Sequence, residues 1–169
     1  MNVPSIDATK QNIIDWCNQD KIVVKVQELK PDDPVLNFSI ASGKIAIYNQ
    51  KRFPDRTYLQ CDIGFAPEQI TMMQSWDNTK RTNFVSSLTK NAIEFDYQSE
   101  FLLDGDNIKG VRIHKFIVGD FTKSDFIHTL VRLQNILGYT FNILNLTMGT
   151  ELSLQQQQNQ SSSENPLTG

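Results

Sequence analysis

Residues 57–76 read TYLQCDIGFAPEQITMMQSW, and the period of their apolar side chains changes partway along. Leu59, Cys61, Ile63 and Phe65 alternate with Tyr58, Gln60 and Asp62. That is the spacing of a strand with one buried and one wet face. Pro67 then suits the first turn of a helix, where its missing N–H is not needed, and a short helix is expected through about Trp76. A strand that gives way so abruptly to a helix predicts an α+β chain.

Toward the N-terminus the alternation repeats. Strands are predicted at Ile22–Leu29, Leu36–Ile40 and Lys44–Gln50, before the strand Thr57–Phe65. Pro31-Asp32-Asp33-Pro34 and Ser42-Gly43 supply turns, and Lys51 to Arg56 reads as a longer polar connection. Connections this short make neighbouring strands antiparallel. A helix over about Ala8–Asn18 precedes them, with Ile13, Ile14 and Cys17 on its apolar side and Trp16 at the edge.

Toward the C-terminus a helix capped by Asp77 or Asn78 is predicted to run to about Phe95, with Phe84, Leu88, Ala92 and Phe95 as its buried stripe. Strands at Ser99–Leu103 and Gly110–Val118 follow, joined by a turn at Asp104-Gly105-Asp106-Asn107. Thr122-Lys123-Ser124-Asp125 is a capping box that opens a last helix, expected to reach Met148 and stop at Gly149. Beyond it the Gln-, Ser- and Asn-rich composition cannot bury enough apolar surface to order itself. The expected organisation is one domain over residues 1–150 and a disordered tail over 151–169.

The element order is therefore α-β-β-β-β-α-β-β-α, and its second half is the more specific. Ile63-Gly64-Phe65-Ala66-Pro67-Glu68-Gln69-Ile70 ends a strand in a proline-led helix; the Phe84 helix and a hairpin around Gly105 come next, then Gly119-Asp120-Phe121-Thr122-Lys123-Ser124-Asp125-Phe126. Over residues 8–148 this pattern resembles a family of uncharacterised, mainly archaeal proteins related in fold to the class I type III secretion chaperones and the YbjN-like bacterial proteins. The resemblance implies a twisted antiparallel sheet with helices mainly on one face. It also implies a tendency to form homodimers and a capacity to hold extended segments of partner proteins. It carries no catalytic residues, and four strands precede the middle helix where the chaperone pattern has three.

The 169 residues include 39% hydrophobic and 21% charged side chains, with a formal net charge of -3. A mildly acidic chain has no general attraction for phosphate backbones or anionic lipid, so neither nucleic acid nor membrane is expected as a partner. The adjacent basic pairs are Lys51-Arg52 and Lys80-Arg81, and a nucleic-acid accessory role would need Lys51, Arg52, Arg56, Lys80 and Arg81 on one surface. Cys17 and Cys61 have no metal-ligand spacing and share the apolar faces of their elements, so both are expected to be buried and inert. Met1–Asp7 has neither a basic nor an apolar leader segment, and with the isolated cysteines this points to the cytoplasm. His114 and His128 lie on different elements with nothing to bring them together, and the acids around Gly105 lack the later ligands of a calcium loop. No cofactor or metal is implied. An enzyme remains the alternative, and it would need a pocket where a histidine, an acid and a cysteine or serine converge.

The last helix is the most informative element for function. Phe126, Leu130, Leu133, Leu137, Phe141, Leu144 and Met148 form one stripe, and Ile136, Tyr139, Ile143 and Leu146 form a second on its C-terminal half. The second stripe is either deeper core, packed against another helix, or the surface for a protein partner or a second copy. The overall expectation is a non-enzymatic binding protein, adaptor-like or chaperone-like, whose edge strand Ile22–Leu29 could also accept an added strand.

Overall fold

The computed structural model describes residues 6–26, 36–40, 44–50 and 52–149. The elements are α1 (Ile6–Gln19), β1 (Val24–Val26), β2 (Leu36–Ile40), β3 (Ile45–Gln50), β4 (Phe53–Gly64), α2 (Pro67–Ser75), α3 (Asn78–Glu94), β5 (Gln98–Asp104), β6 (Asn107–Val118) and α4 (Lys123–Leu144). One π-helical turn, Asn145–Gly149, extends α4. The Pro31–Pro34 turn, the Ser42-Gly43 turn, the far half of the first expected strand and the segment 151–169 lie outside the described residues.

The strands form one antiparallel sheet in the order β1-β2-β3-β4-β6-β5. Every helix packs on the same face. Ile13 and Cys17 of α1, Met72 and Met73 of α2, Phe84 and Leu88 of α3 and a row from Phe126 to Leu144 of α4 join one core cluster. The sheet gives that cluster Phe38, Ile40, Ile45, Ile47, Leu59, Cys61, Ile63, Val111 and Ile113. Each of these alternates with a side chain on the other face, and that face has no helix on it among the described residues. The fold is α+β, as expected.

Local signals explain the boundaries. Thr122 Oγ1 accepts from the Asp125 N–H at 3.2 Å, while Asp125 Oδ2 accepts from the Thr122 N–H at 2.9 Å. Asp77 caps α3 by accepting from the Lys80 N–H at 2.8 Å. At the hairpin between β5 and β6, Gly105 takes a φ of 56°, in the left-handed region that glycine enters without strain.

Three expectations need correction. The polar connection Lys51 to Arg56 is mostly strand: β4 begins at Phe53, and Arg56 already pairs with Val118. A register shift between Asn49 and Gln50 accommodates Pro54, which offers the ladder no N–H. Phe95 is not core. It lies 42% exposed, with the Arg132 guanidinium 5.8 Å from its ring. α3 stops one residue earlier, and Asp96 turns the chain with a φ of 60°. Tyr97 fills the space instead, its N–H donating to Ala92 O and its hydroxyl to Thr129 O. Phe141 is likewise 38% exposed, at the margin of its stripe and beneath the Lys44 ammonium.

Candidate interaction surface

The face of the sheet that no described helix covers, called the bare face below, carries a second, separate cluster of side chains. Strand register sets Tyr48 opposite Tyr58 and Tyr58 opposite Phe116. The two tyrosine rings stack at 5.2 Å and 9°, and Phe116 lies 5.6 Å from Tyr58 at 49°. The row continues through Arg56, whose guanidinium sits 5.1 Å from the Phe116 ring and 4.4 Å from the Phe53 ring. Arg52 stands on Phe53 at 5.4 Å. Such cation–π contacts fix the long arginine side chains without removing their charge. Tyr58 is 8% exposed and belongs to no part of the core cluster; its ring lies against Tyr48 and Phe116 in this row.

One residue pair further along, the face turns polar. The Tyr48 hydroxyl donates to Gln60 Oε1 at 2.8 Å, and burial pushes the Tyr48 phenol up from its ordinary range. His114 Nε2 lies 2.8 Å from Gln98 Oε1. Arg112 donates twice to Asp62, at 2.8 Å each, and once to Glu100 at 3.2 Å. The Asp62 hydrogen bond is the main cause of the raised Arg112 pKa. One guanidinium against two carboxylates leaves this end negative, while Arg52 and Arg56 leave the other end positive, with no carboxylate ion pair among the described residues.

The four positions of the second α4 stripe separate. α4 runs antiparallel beside α3: Arg132 meets Phe95 at one end, and Thr147 shares a cavity wall with Phe84 and Ser87 at the other. Ile136 falls on the α3 side and is 1% exposed, so it belongs to the core and not to a partner surface. Ile143 is half-buried, and Tyr139 and Leu146 are 43% and 74% exposed on the side away from the sheet.

The other candidates do not converge. Cys17 and Cys61 are buried, and desolvation pushes both thiols up to about 11. His114 is on the bare face and His128 is exposed on α4. No trio of His, Cys, Asp or Glu suited to a metal occurs among the described residues. Arg56 and the Lys80-Arg81 pair lie at opposite ends of β4, since Arg81 donates to Gln74 O and Trp76 O beside the β5–β6 hairpin. Eight residues of strand, about 26 Å, separate those ends. Lys51 is outside the described residues. Among the described residues no helix is long and apolar enough to cross a membrane.

The model of a family of uncharacterized conserved proteins, DUF2299, matches residues 9–144. The chain belongs to DUF2299. Its fold is similar to that of an uncharacterized protein from Methanothermobacter thermautotrophicus, with a TM-score of 0.67 at 13% identity over 81% of this chain and 97% of that one. It is also similar to YbjN, a proposed transcription regulator from E. coli, with a TM-score of 0.50 at 10% identity over 89% and 96% of the two chains. The YbjN-like architecture expected of this DUF2299 chain is thus the one it adopts. At these identities the likeness concerns the fold alone. No curated protein matches the sequence.

The aromatic row is what the sequence reading missed. Tyr58 was legible as a wet-face residue of β4, but its neighbours Tyr48 and Phe116 come from strands 10 and 58 residues away, and only the register unites them.

Proposed function

We propose that this DUF2299 protein is a non-enzymatic protein-binding module of the cytoplasm, adaptor-like or chaperone-like, and that it docks protein on the bare face of its sheet. The single observation behind this is the Tyr48–Tyr58–Phe116 row, a cluster on the face that no described helix covers. The solvated face of an antiparallel sheet is ordinarily polar. Aromatic and arginine side chains concentrate where proteins meet. Both thiols are buried and protonated at neutral pH, which suits a binding role better than nucleophilic chemistry.

A photo-cross-linking residue at Gln60, in the centre of that face, tests the reading. It should capture protein in cells, while the same residue at Ser86 on the outer side of α3 should not. Equal capture at both positions, or none at Gln60, refutes the assignment. Tyr139 and Leu146, with Ile143 beside them, form a smaller apolar strip that we assign as a secondary contact. A cross-linker at Asn142, exposed between them, reads it in the same experiment.

A further inference from the structure

We propose that the bare face docks a second copy of this chain, sheet against sheet, about a two-fold axis that crosses the strands at the level of Leu59. This rests on the binding role above and names the partner. The first argument is the charge pattern along β4. Such an axis reverses the strand direction, so β4 lies over its copy with Arg56 facing Asp62 and Tyr58 facing Gln60. The end with Arg52 and Arg56 then meets the end where Asp62 and Glu100 outnumber Arg112, and it does so twice. A face with opposite charge at its two ends is complementary to itself in this orientation and repels itself in the parallel one.

The second argument is the state of the rings. Tyr48 and Tyr58 cover each other's faces, and Arg56 covers Phe116 and Phe53. Each ring therefore has a neighbour within the row against it, which leaves less ring face for a nucleic-acid base to stack on and suits packing against another layer of side chains. The third argument is area. At about 3.3 Å per residue along a strand and about 4.8 Å between strands, the paired residues of the six strands make a face on the order of 600 Å² before side-chain relief. A standard interface takes about 800 Å² from each partner. Two sheets packed with strands aligned to within about 30° are an ordinary arrangement.

The test is the mass of the full chain in solution, by sedimentation equilibrium from low micromolar to millimolar concentration. The wild type should move from 19.3 kDa toward twice that value. Arg56→Glu and Asp62→Arg each place like charges together at both contacts and should each weaken self-association at least about tenfold. An equimolar mixture of the two should dimerise again, because each charge then meets its opposite. Ala46→Arg adds a charged side chain on the same face without touching those contacts, and it should give a monomer even if either charge variant fails to fold. A wild type that remains monomeric at the highest concentration overturns the proposal. So does a mixture of folded charge variants that does not associate, or an Ala46→Arg chain that dimerises as the wild type does. If the wild type is monomeric while a cross-linker at Gln60 captures a different protein, self-docking is wrong and the binding role stands. If Gln60 captures nothing, both fail.

Discussion

Replacing Gly110 by alanine should be the most informative single change to the scaffold beneath the bare face. Gly110 pairs with Gly64 where β4 and β6 run side by side and the chain is about to leave the sheet for α2. A Cβ there would press on the Ile63 carbonyl oxygen, well inside van der Waals contact, and would lie 3.2 Å from the Gly64 Cα. Both obstacles are backbone, so no side chain can swing away. β4 and β6 must separate, at the cost of ladder geometry and of the bond from the Phe65 N–H to Lys109 O at 2.7 Å. Overpacking of this kind costs about 1–3 kcal/mol. For a domain of this size each kcal/mol moves Tm by about 2–4 °C, so a loss of roughly 2–12 °C is expected. Gly64→Ala is the control: a Cβ at Gly64 meets nothing within 4 Å, and its melting temperature should hold or rise. Thermal denaturation followed by far-UV circular dichroism compares the three proteins. If Gly110→Ala melts with the wild type, or both glycine variants fall alike, the claim that close backbone approach requires glycine at 110 is wrong.

Ile136→Ala should cost about 2–5 kcal/mol in urea titration because the side chain is sealed, whereas Leu146→Ala should stay within about 0.5 kcal/mol; equal losses would contradict their placement. Neither thiol should react with a disulfide reagent at neutral pH in the folded protein, and both should react in denaturant; a fast native thiol would contradict the burial that raises their pKa to about 11. Thr122→Ala should lower the melting temperature at neutral pH, because Thr122 hydrogen bonds hold the Asp125 carboxyl below its ordinary range. A depressed carboxyl contributes stability above its unfolded pKa of about 3.9 and loses it as pH falls through the folded value. The gap between variant and wild type should therefore close in acid, and a gap independent of pH would show that the carboxylate is not involved.

The element order was readable because its signals are local. The capping box at Thr122, the cap at Asp77, Pro67 at the head of α2 and the alternation through Leu59, Cys61 and Ile63 each need a few neighbouring residues, and each is realised. The misplaced side chains fail for the opposite reason. Phe95 and Tyr97 compete for one site below α3, and periodicity favours Phe95 because it continues the stripe. The left-handed turn at Asp96 decides for Tyr97, whose hydroxyl reaches a carbonyl on α4 that periodicity cannot see. Ile136 was ambiguous because an apolar residue off the main stripe means either a neighbouring helix or a partner. The choice depends on where α3 lies, and α3 was not positioned by any local pattern.

The same reasoning applies to the bare face. Along each strand its residues read as ordinary wet-face positions, one aromatic among amides and charges: Tyr48 beside Ala46, Tyr58 between Arg56 and Gln60, Phe116 beside His114. Register converts three isolated rings into one row and sorts the charges into a positive end and a negative end. A sheet held together from its helical side does not require that row: the core cluster closes without Tyr48, Tyr58 or Phe116. Side chains that add little to the core but align across three strands are best explained by something that packs above them. A second copy, with the same row and the same charges running in the opposite direction, is the simplest body that fits.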